Sequence, residues 1–504
     1  MASSPSNPLL FAFLSLVFFF FFFVFSENKS FVSAIREEVS ELQFTHHHHV
    51  PLTSLLPSSS CNSPPLGSIR KGSLQVVHKH GPCSTLKHHT SSSSSSSFII
   101  PHSEILKQDE ARVSSIHSTL SKSHGHHHHH HDEEVDISKG LGGQDKLPAK
   151  SGSLLGTGNY FVTVALGSPK RELSLIFDTG SDLTWTQCRP CASSCYSQKE
   201  PIFDPSLSSS YSNISCSSSQ CSQLSSSTGN DPACSKSTRA CIYGIQYGDS
   251  SFSIGYFAKE KLTISSTDVV EDFLFGCGQN NQGLFGSTAG LLGLGRRPIS
   301  FVEQTAHKYN KVFSYCLPSR ASAVGYLTFG GGGYSSGNVK FTPLSSISQG
   351  SSFYGLDFTG ISIAGVKLPV SASTFSSGTI IDSGTVITRL PPAAYGPLRD
   401  AFRKGMSKYP KAAPVSILDT CYDLSKYKIV AVPKVTLSFA GGVNVELDAR
   451  GILYVVRETQ VCLAFSPNRD SSIATIIGNV QQKTLEIVYD VGAGKVGFRP
   501  GGCI

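Results

Sequence analysis

Residues 175–185 form the stretch Leu175-Ile-Phe-Asp178-Thr179-Gly180-Ser181-Asp-Leu-Thr-Trp185, and residues 380–385 repeat its centre as Ile380-Ile-Asp382-Ser383-Gly384-Thr385. In both places apolar residues typical of a strand run into an Asp, which is followed by a small hydroxyl residue and a Gly. Each carboxylate is therefore expected at the mouth of a tight turn. Two such turns in one chain predict two carboxylates that face each other.

The order of the motifs predicts a duplicated lobe. Gly290-Leu-Leu-Gly293 follows the first Asp turn, and Ala474-Thr-Ile-Ile-Gly478 follows the second. From residue 158 onwards, short β-rich runs are broken by Gly, Ser and Pro, which is typical of all-β lobes. Strands are expected at Tyr160 to Leu166, Glu172 to Phe177, Leu262 to Ser265, Tyr326 to Phe329, Phe353 to Ile363, Lys434 to Phe439 and Glu486 to Tyr489, and helices at Ile299 to Tyr309 and Pro392 to Lys408.

The first 150 residues differ from the rest. The apolar run Leu9 to Phe25 predicts a signal peptide over residues 1–26, with an uncleaved signal anchor as the alternative because no Lys or Arg precedes it. Residues 27–150 are rich in Ser, His and charge and are interpreted as a removable prosegment. Two islands within it are expected to be ordered: a strand at Ser73 to Val77 and an amphipathic helix at Ile105 to Leu120.

Fourteen cysteines favour an oxidising compartment. Only Cys61 and Cys83 precede residue 150, and the other twelve form an even set, as disulfides require. A zinc site at Cys188 and Cys191 is the alternative, but no His lies near them in the sequence. No metal site is therefore predicted.

The histidines separate the enzyme classes. Seventeen of the eighteen lie before residue 150, which leaves His307 alone in the remainder, where a surface or packing role is expected. A Ser-His-Asp or Cys-His device needs a His in the folded lobes, so the paired carboxylates are the remaining catalytic candidates, and no cofactor is expected. The run His126 to His131 suggests a pH sensor, with a solvated low-complexity linker as the alternative.

Residues 151–504 carry 30 Lys and Arg against 23 Asp and Glu. This basic body raises the hypothesis of binding to DNA or to acidic polymers. The densest basic cluster, Arg399 to Lys411, is interpreted first as the solvated face of a helix.

Six motifs in order resemble those of the pepsin-like aspartic endopeptidases, family A1, over about residues 158 to 504. They are Asp178-Thr-Gly-Ser181 with Trp185, Tyr247-Gly-Asp-Ser-Ser251, Leu291-Leu-Gly293, Asp382-Ser-Gly-Thr385, Ile476-Ile-Gly478, and Val488-Tyr-Asp490 with Lys495-Val-Gly-Phe498. The resemblance implies a bilobal all-β fold, in which two pseudo-twofold-related β-barrel lobes, residues 151–340 and 341–504, enclose a cleft.

Two further segments narrow the resemblance. The Cys-rich insertion 188–241 is similar to that of the plant nepenthesin-type branch. Val76-Val-His-Lys-His-Gly-Pro-Cys83 resembles a subgroup that includes apoplastic proteases and a chloroplast nucleoid DNA-binding protease. Secretion to the apoplast is therefore expected, with the vacuole or the chloroplast as alternatives.

The resemblance implies an aspartic endopeptidase (EC 3.4.23) that is made as a zymogen and acts at acidic pH. Asp178 and Asp382 would activate a water molecule as a coupled pair, with one proton shared between them. Tyr247 and Gly248 would belong to a flap over the substrate, with Trp185 as the hydrogen-bonding partner of Tyr247. The supporting residues would be Thr179, Gly180, Ser181, Ser383, Gly384 and Thr385. Ser250 stands where this branch commonly has Gly, and it would be strained if that position needs a positive φ.

The resemblance also implies the disulfides Cys216–Cys241, Cys221–Cys234, Cys421–Cys462 and Cys316–Cys503. The pairing of Cys188, Cys191, Cys195 and Cys277 stays open. Asn213-Ile-Ser215 is an N-glycosylation sequon.

The expected partners are protein or peptide substrates, the chain's own prosegment as inhibitor, and pepstatin-type inhibitors. A monomer is expected, with no membrane contact after signal removal. Two other functions stay open: a weak or inactive pepsin-fold protein that acts as an inhibitor, as the plant xylanase inhibitors of this fold do, and a DNA-binding protein.

Overall fold

The computed structural model describes residues 46–56, 58, 60–61, 72–86, 102–123 and 160–501, apart from 248–249, 267, 284, 321, 332–337 and 349–350. Short strands dominate these residues, and only two of their helices exceed five residues. The α-helices are Leu52–Leu55, His102–Ser123, Ser219–Ser222, Leu224–Thr228, Phe301–Gln304, Ala306–Tyr309, Pro392–Gly405, Ala449–Ile452 and Asn479–Gln482, and the 3₁₀-helices are Pro205–Leu207, Ser346–Ser348, Ala372–Phe375 and Ala440–Gly442.

The strands before residue 345 are His47–Pro51, Ser73–His78, Tyr160–Leu166, Arg171–Asp178, Trp185–Gln187, Ser212–Asn213, Ala233–Cys234, Cys241–Gln246, Phe252–Ser265, Asp268–Gln282, Gly290–Gly293, Val312–Cys316, Val324–Phe329 and Lys340–Pro343. Those after it are Tyr354–Leu356, Phe358–Ile363, Val366–Lys367, Thr379–Ile381, Thr388–Leu390, Lys411–Ala412, Cys421–Asp423, Ile429–Pro433, Val435–Phe439, Val443–Glu446, Leu453–Arg457, Gln460–Leu463, Phe465–Pro467, Thr475–Ile477, Leu485–Asp490 and Lys495–Pro500. Each strand expected from the sequence is present, and the expected run from Phe353 to Ile363 is divided into two strands.

The two Asp motifs have the same local structure in both halves of the chain. Strand Arg171–Asp178 pairs in parallel with Gly290–Gly293. Strand Thr379–Ile381, which ends one residue before Asp382, pairs in parallel with Thr475–Ile477. All four strands end in buried apolar or motif residues, as strands covered on both faces do. The predicted duplicated, bilobal all-β architecture is confirmed.

One sheet runs through the middle of the molecule and joins the two halves. Val312–Cys316 from the first half pairs with Leu485–Asp490 from the second. Strand Ser73–His78, called the leader strand below, is inserted into this sheet between Val324–Phe329 and Tyr160–Leu166. The segment interpreted as a prosegment is therefore part of the central sheet.

One strand crosses the boundary that the sequence analysis places between the lobes. Strand Lys340–Pro343 pairs with the C-terminal strand Lys495–Pro500. A boundary between residues 340 and 341 would cut this strand after its first residue. Because the whole strand hydrogen-bonds to the last strand of the chain, it belongs with the second half.

Helix His102–Ser123, called the leader helix below, packs its apolar face on the second half of the chain. Ile105 and Leu106 lie in one hydrophobic cluster with Ile387 and Val480. The remaining apolar residues of this face, Val113, Ile116 and Leu120, cluster with Ile347, Phe353, Ile380, Ala474 and Ile476. The spacing is that of an amphipathic helix, so the predicted helix at Ile105 to Leu120 is confirmed and is longer at both ends.

The other two predicted helices differ in detail from the expectation. The one expected at Ile299 to Tyr309 is broken at Thr305, whose Oγ1 donates a hydrogen bond of 2.7 Å to the carbonyl oxygen of Phe301. Such bonds to the carbonyl four residues back bend helices. The second ends at Gly405 rather than at Lys408. Its Arg403 binds Thr420 and Asp419 at the surface, in keeping with a solvated helix face.

Two of the implied disulfides are wrong. The resemblance implied Cys216–Cys241 and Cys221–Cys234, but the structure joins Cys216 to Cys234 and Cys221 to Cys241. Burial explains the exchange, because helix Ser219–Ser222 and strand Cys241–Gln246 both turn their cysteines inward, where Cys221 and Cys241 are 2% and 0% exposed. Cys216 and Cys234 lie nearer the surface and bind each other.

The other cysteines complete the set. Cys421 and Cys462 lie opposite each other on antiparallel strands and form the implied bond. Cys316 is disulfide-bonded, but its expected partner Cys503 lies outside the described residues. The pairs that the sequence left open are Cys188–Cys277 and Cys191–Cys195, and Cys61 pairs with Cys83 inside the leader.

Several predicted features lie at the surface or outside the description. Asn213 is exposed on a short strand, and its Oδ1 accepts a hydrogen bond of 2.6 Å from the Tyr211 hydroxyl. His307 is exposed. The signal peptide and the run His126 to His131 lie outside the described residues. Among the helices that are described, none has the length and apolarity needed to cross a bilayer.

The inserted leader strand generates a first prediction. Val76 is fully buried at the middle of this strand, whereas its neighbour Gln75 is partly exposed. Val76→Asp would place a carboxylate without a partner in the core, at a cost of several kcal/mol, about 3 or more. We expect a lower melting temperature of the full chain and tryptic cleavage after Lys79, which is buried while the leader is docked.

Gln75→Asp is the matched control, because it adds the same charge to the partly exposed side of the same strand. It should leave both the melting temperature and the protection of Lys79 close to the wild type. A Val76→Asp chain that resists trypsin as well as this control would contradict the insertion of the leader strand.

Candidate active site

The structure brings Asp178 and Asp382 together from the two halves. Both side chains are buried, at 2% and 0% exposure. Nη2 of Arg112 lies 2.6 Å from Asp178 Oδ1 and 2.9 Å from Asp382 Oδ1. Because one nitrogen atom contacts both carboxylates, the two predicted catalytic residues form a single pair.

The hydroxyl residues that follow the two aspartates lock the pair across the interface between the halves. The amide nitrogen of Ser383 donates to Thr179 Oγ1 over 2.9 Å, and the amide nitrogen of Thr179 donates to Ser383 Oγ over 3.2 Å. Thr179 and Ser383 thus exchange two hydrogen bonds at buried positions. This reciprocal contact fixes the spacing of the carboxylates that precede them.

Each carboxylate receives a backbone and a hydroxyl donor from its own turn. Asp178 Oδ1 accepts from the Gly180 amide at 3.0 Å, and its Oδ2 accepts from the Ser181 hydroxyl at 2.8 Å. The second motif repeats this: Asp382 Oδ1 accepts from the Gly384 amide at 3.3 Å, and Oδ2 from the Thr385 hydroxyl at 2.6 Å. The four supporting residues therefore lie where the resemblance implied.

Residues behind the motifs, which sequence reasoning missed, complete the support. The Gln482 side chain donates to the carbonyl oxygen of Asp382 at 3.1 Å, and the Asn479 side chain donates to that of Ser383 at 3.0 Å. Both lie in helix Asn479–Gln482, directly after the Ile-Ile-Gly motif. That position, next to a recognised motif, was the signal that could have identified them.

Asp182 is a second buried carboxyl that the sequence analysis left without a role. Its Oδ1 accepts from the Arg297 amide at 2.9 Å, and its Oδ2 accepts from the Ser352 hydroxyl. Burial raises the pKa of Asp182 to about 6 despite these bonds. Because Ser352 comes from the second half, Asp182 ties that half to the first motif.

Arg112 of the leader helix occupies the centre of the site. Besides the contacts of Nη2, its Nε donates to Asp382 Oδ2 at 2.9 Å. Burial alone would lower the pKa of Arg112, but the two carboxylates raise it above its ordinary value. Burial likewise opposes ionisation of Asp382, yet the charge of Arg112 and the hydrogen bonds hold the pKa of this carboxyl below its ordinary value. Both groups are therefore charged in this arrangement.

The two motif glycines make room for this guanidinium. A Cβ atom at Gly384 would lie 2.3 Å from Arg112 Cζ, and one at Gly180 would lie 2.8 Å from its Nη2. Neither distance is compatible with a side chain. The glycines thus keep open the space directly above the carboxylates, which Arg112 fills here.

The flap residues lie on the first half of the chain. Trp185 Nε1 donates to the Tyr247 hydroxyl at 2.8 Å, so the implied pair is in contact. Ser250 has a φ of +66°, which lies in the left-handed region. This conformation is less favourable for a serine than for the glycine that is common in this branch. Gly248 lies outside the described residues.

A cavity of about 650 Å³ separates the flap from the leader helix. Tyr247, Ile245 and Phe285 line it on the flap side, and Arg112 and Ile116 line it on the leader side. Polar and apolar side chains share its wall, and Asp178 is one of the lining residues. Among the described residues, no group of three or more His, Cys, Asp or Glu side chains converges as metal ligands would.

Comparison with known proteins identifies the family and the fold of the chain. Residues 160–331 match the family model described as xylanase inhibitor N-terminal, and residues 353–500 match its C-terminal counterpart. By fold, the chain is similar to basic 7S globulin from soybean, with a TM-score of 0.55 and 21% identity over 68% of this chain and 91% of that chain.

Relatives in sequence are named as proteases. An aspartyl protease family protein of Arabidopsis thaliana is 57% identical over 91% of this chain and 94% of its own length. Aspartyl protease AED1 from the same plant is 50% identical over 90% of this chain and 92% of its own length. Aspartic proteinase nepenthesin-2 of Nepenthes gracilis is 37% identical over 69% of this chain and 78% of its own length. The chain belongs to the pepsin-like aspartic protease family, in its plant nepenthesin-type branch.

Proposed function

We propose that this protein is an aspartic endopeptidase, which hydrolyses peptide bonds at acidic pH and is made as a zymogen. One observation carries the proposal: two buried carboxylates, supplied by two copies of one motif, contact the same guanidinium nitrogen. Aligned in this way, Asp178 and Asp382 are close enough to hold one proton or one cation between them. The arrangement suits a water-activating pair.

The chemistry follows from the shared proton. Once the cation is gone, two adjacent carboxyls resist ionising together, so one stays protonated while the other is ionised. The ionised carboxylate removes a proton from a water molecule as that water attacks the peptide carbonyl. The protonated carboxyl gives its proton to the carbonyl oxygen. Ser181 and Thr385, which bind the outer oxygens, would keep both carboxyls oriented.

The leader would hold the enzyme inactive. Arg112 fills the space above the dyad and donates hydrogen bonds to both carboxylates, so it takes the position that the attacking water and the shared proton would need. The leader strand and the leader helix anchor this arginine from two sides of the molecule. Removal of the leader would therefore uncover the cleft and convert the dyad to its one-proton form.

The alternative is an inactive pepsin-fold protein, since the matching family models are named for xylanase inhibitors. Loss of catalysis in such a protein would call for a change in one of the motifs. Here both Asp residues, both glycines and both outer hydroxyls are in hydrogen-bonded positions. These intact motifs favour the enzyme. We also propose that the mature protein is a secreted, glycosylated monomer, on the strength of its disulfides, its N-terminal apolar run and its sequon.

Asp178→Asn tests the catalytic proposal. It keeps the size of the side chain and removes the carboxylate, so one of the two proton-transfer groups is lost. Cleavage of a denatured protein between about pH 3 and 6 should fall by roughly 100-fold or more, the lower end of what general acid–base groups contribute. Asp272→Asn, at an exposed position of strand Asp268–Gln282, is the control. A wild-type protein without pepstatin-sensitive cleavage in this pH range would refute the proposal that the protein is an enzyme.

Arg112→Gln tests the inhibitory role of the leader. Removing one partner of a buried ion pair costs about 3–5 kcal/mol, here by leaving two adjacent carboxylates without their cation. The variant should release its leader at a higher pH and process itself faster at a given pH. Lys107→Gln, on the exposed side of the same helix, should behave as the wild type. Equal latency of the two variants would show that Arg112 does not hold the leader in place.

Histidines of the docked leader give it a pH dependence. Burial and then the charge of Lys483 lower the pKa of His102. Burial lowers the pKa of His117 to about 4, with Arg389, Glu110 and Arg469 as its charged neighbours. The pKa of His78 is lowered as well, by burial and by the neighbouring charges of His80, Lys483, Lys79 and His102.

The sign of this effect favours release in acid. A free leader histidine titrates near its ordinary value of about 6.5. Because the docked values are lower, docking is strongest above about pH 6.5 and weakens as the pH falls towards 4. Asp109 of the leader helix acts in the opposite direction, since burial raises its pKa.

The double variant His102→Gln and His117→Gln tests this effect in the full chain. Leader release should move to lower pH and should take up as many as two fewer protons, which the steepness of leader release against pH measures. Replacing His126 to His131 with Gln is the comparison, because that run is the alternative sensor. If only the replacement of this run shifts the midpoint, the docked histidines are not the sensor.

A further inference from the structure

A buried arginine of the second half faces the leader helix beside the dyad. Arg389 lies on strand Thr388–Leu390, directly after the second Asp motif, and its side chain is 1% exposed. Its Nη2 contacts Asp109 Oδ2 at 3.0 Å and Glu110 Oε2 at 3.1 Å. Its Nη1 donates to the carbonyl oxygen of Ile387 at 2.8 Å, which fixes the orientation of the guanidinium.

Two backbone amides complete the pocket around Asp109. The amide of Val386 donates to Asp109 Oδ1 at 2.6 Å, and the amide of Ile387 donates to Oδ2 at 3.1 Å. With Arg389, these groups give the carboxylate one cation and two neutral donors, and Asp109 is fully buried among them. This is a complete binding site for a carboxylate.

The donors and the acceptors of this pocket belong to different segments. Both carboxylates come from the leader helix, whereas Arg389, the two amides and the rim residue Arg469 come from the second half. Arg469 is 77% exposed and contacts Glu110 over 3.3 Å. Among the described residues, every acidic group recorded as an ion-pair partner of Arg389 lies in the leader. Nε of Arg389 is buried and has no hydrogen-bond partner.

Loss of the leader therefore leaves a buried cation and two amide donors without their anion. An arginine in this state is costly unless a new anion or water replaces the lost partner. The pocket is also close to the chemistry, since Asp109 and Arg112 lie one turn apart on one helix, about 5 Å along its axis. A peptide bound over the dyad could place a side chain in it.

We infer that Arg389 and the amides of Val386 and Ile387 form a substrate subsite that selects an Asp or Glu side chain of the peptide. In the zymogen, Asp109 occupies this subsite as a stand-in for that side chain. The inference rests on the proposed function, because it names the substrate class of the proposed peptidase. Arg389 binds the substrate here and takes no part in the proton transfers.

The experiment uses protein processed from the full chain and pairs of peptides that differ only by Glu against Gln, or Asp against Asn, at one position. The acidic residue is moved through each position on both sides of the cleaved bond. At about pH 5.5, one position should give roughly ten-fold or higher kcat/KM for the acid, as expected for charge-assisted hydrogen bonds. At about pH 3 the preference should shrink, because the substrate carboxyl is then protonated.

Variants at the pocket assign the preference. Arg389→Gln should abolish the preference, measured as the ratio of kcat/KM for the acidic peptide to that for its neutral partner. Arg389→Lys, which keeps the charge, should retain part of it. Arg469→Gln, at the exposed rim, should change the ratio by less than about two-fold. If Arg389→Gln does not fold, the wild-type pH profile and Arg389→Lys still decide. A wild-type enzyme without a position that prefers the acid overturns the inference, as does an Arg389 variant that keeps the full preference.

Binding separates this inference from the proposed function. Labelled members of the same peptide pairs are titrated with the processed protein and followed by fluorescence anisotropy. A protein that cleaves nothing but binds the Glu peptide about ten-fold more tightly than the Gln peptide would refute the peptidase and support the pocket. Equal binding of the two peptides would overturn the pocket, whether or not the protein cleaves them.

Discussion

The contact of one guanidinium with two carboxylates is the constraint on which the rest of this structure depends. Asp178 and Asp382 are buried and adjacent, and two negative charges that close together in a protein interior are not tolerated without compensation. Arg112 supplies that compensation from outside the two lobes. The backbone turns, the exchanged hydrogen bonds of Thr179 and Ser383 and the side-chain-free glycines all serve to hold the carboxylates at a spacing that one cation can bridge.

Because this cation lies on the leader, the leader must be held by more than its charge. A single arginine would cost too much to desolvate unless other contacts fixed it in place. The leader strand contributes a full strand to the central sheet, between Val324–Phe329 and Tyr160–Leu166. The leader helix adds an apolar face packed against the second half. The leader is therefore a structural element of the full chain as well as the segment that fills the space above the dyad.

The sequence predicted the parts of the site that are local. The Asp turns, with their glycines and hydroxyls, follow from short motifs whose geometry is set within a few residues. The pair of Trp185 and Tyr247 is separated by 62 residues and was implied by the family resemblance alone. Arg112 was not predicted, because its role depends on where a distant helix docks, and an arginine in an amphipathic helix gives no local sign of that. The predicted disulfide pairing of the insertion was wrong for a similar reason, because it depends on tertiary packing. Four cysteines allow three pairings, and only the burial of Cys221 and Cys241 selects one of them.

The charges exchanged across the cleft also limit what can replace the leader. The leader offers a cation to the dyad and anions to Arg389, so the cleft that it covers is negative at its centre and positive beside it. In the proposed peptidase, a peptide substrate would bring a neutral carbonyl to the centre, and it could not compensate two carboxylates as Arg112 does. The dyad would then take up a proton in place of the guanidinium. Departure of the leader and protonation of the dyad would thus be coupled, and acid would favour the exchange at the same site where the proposed catalysis needs a proton.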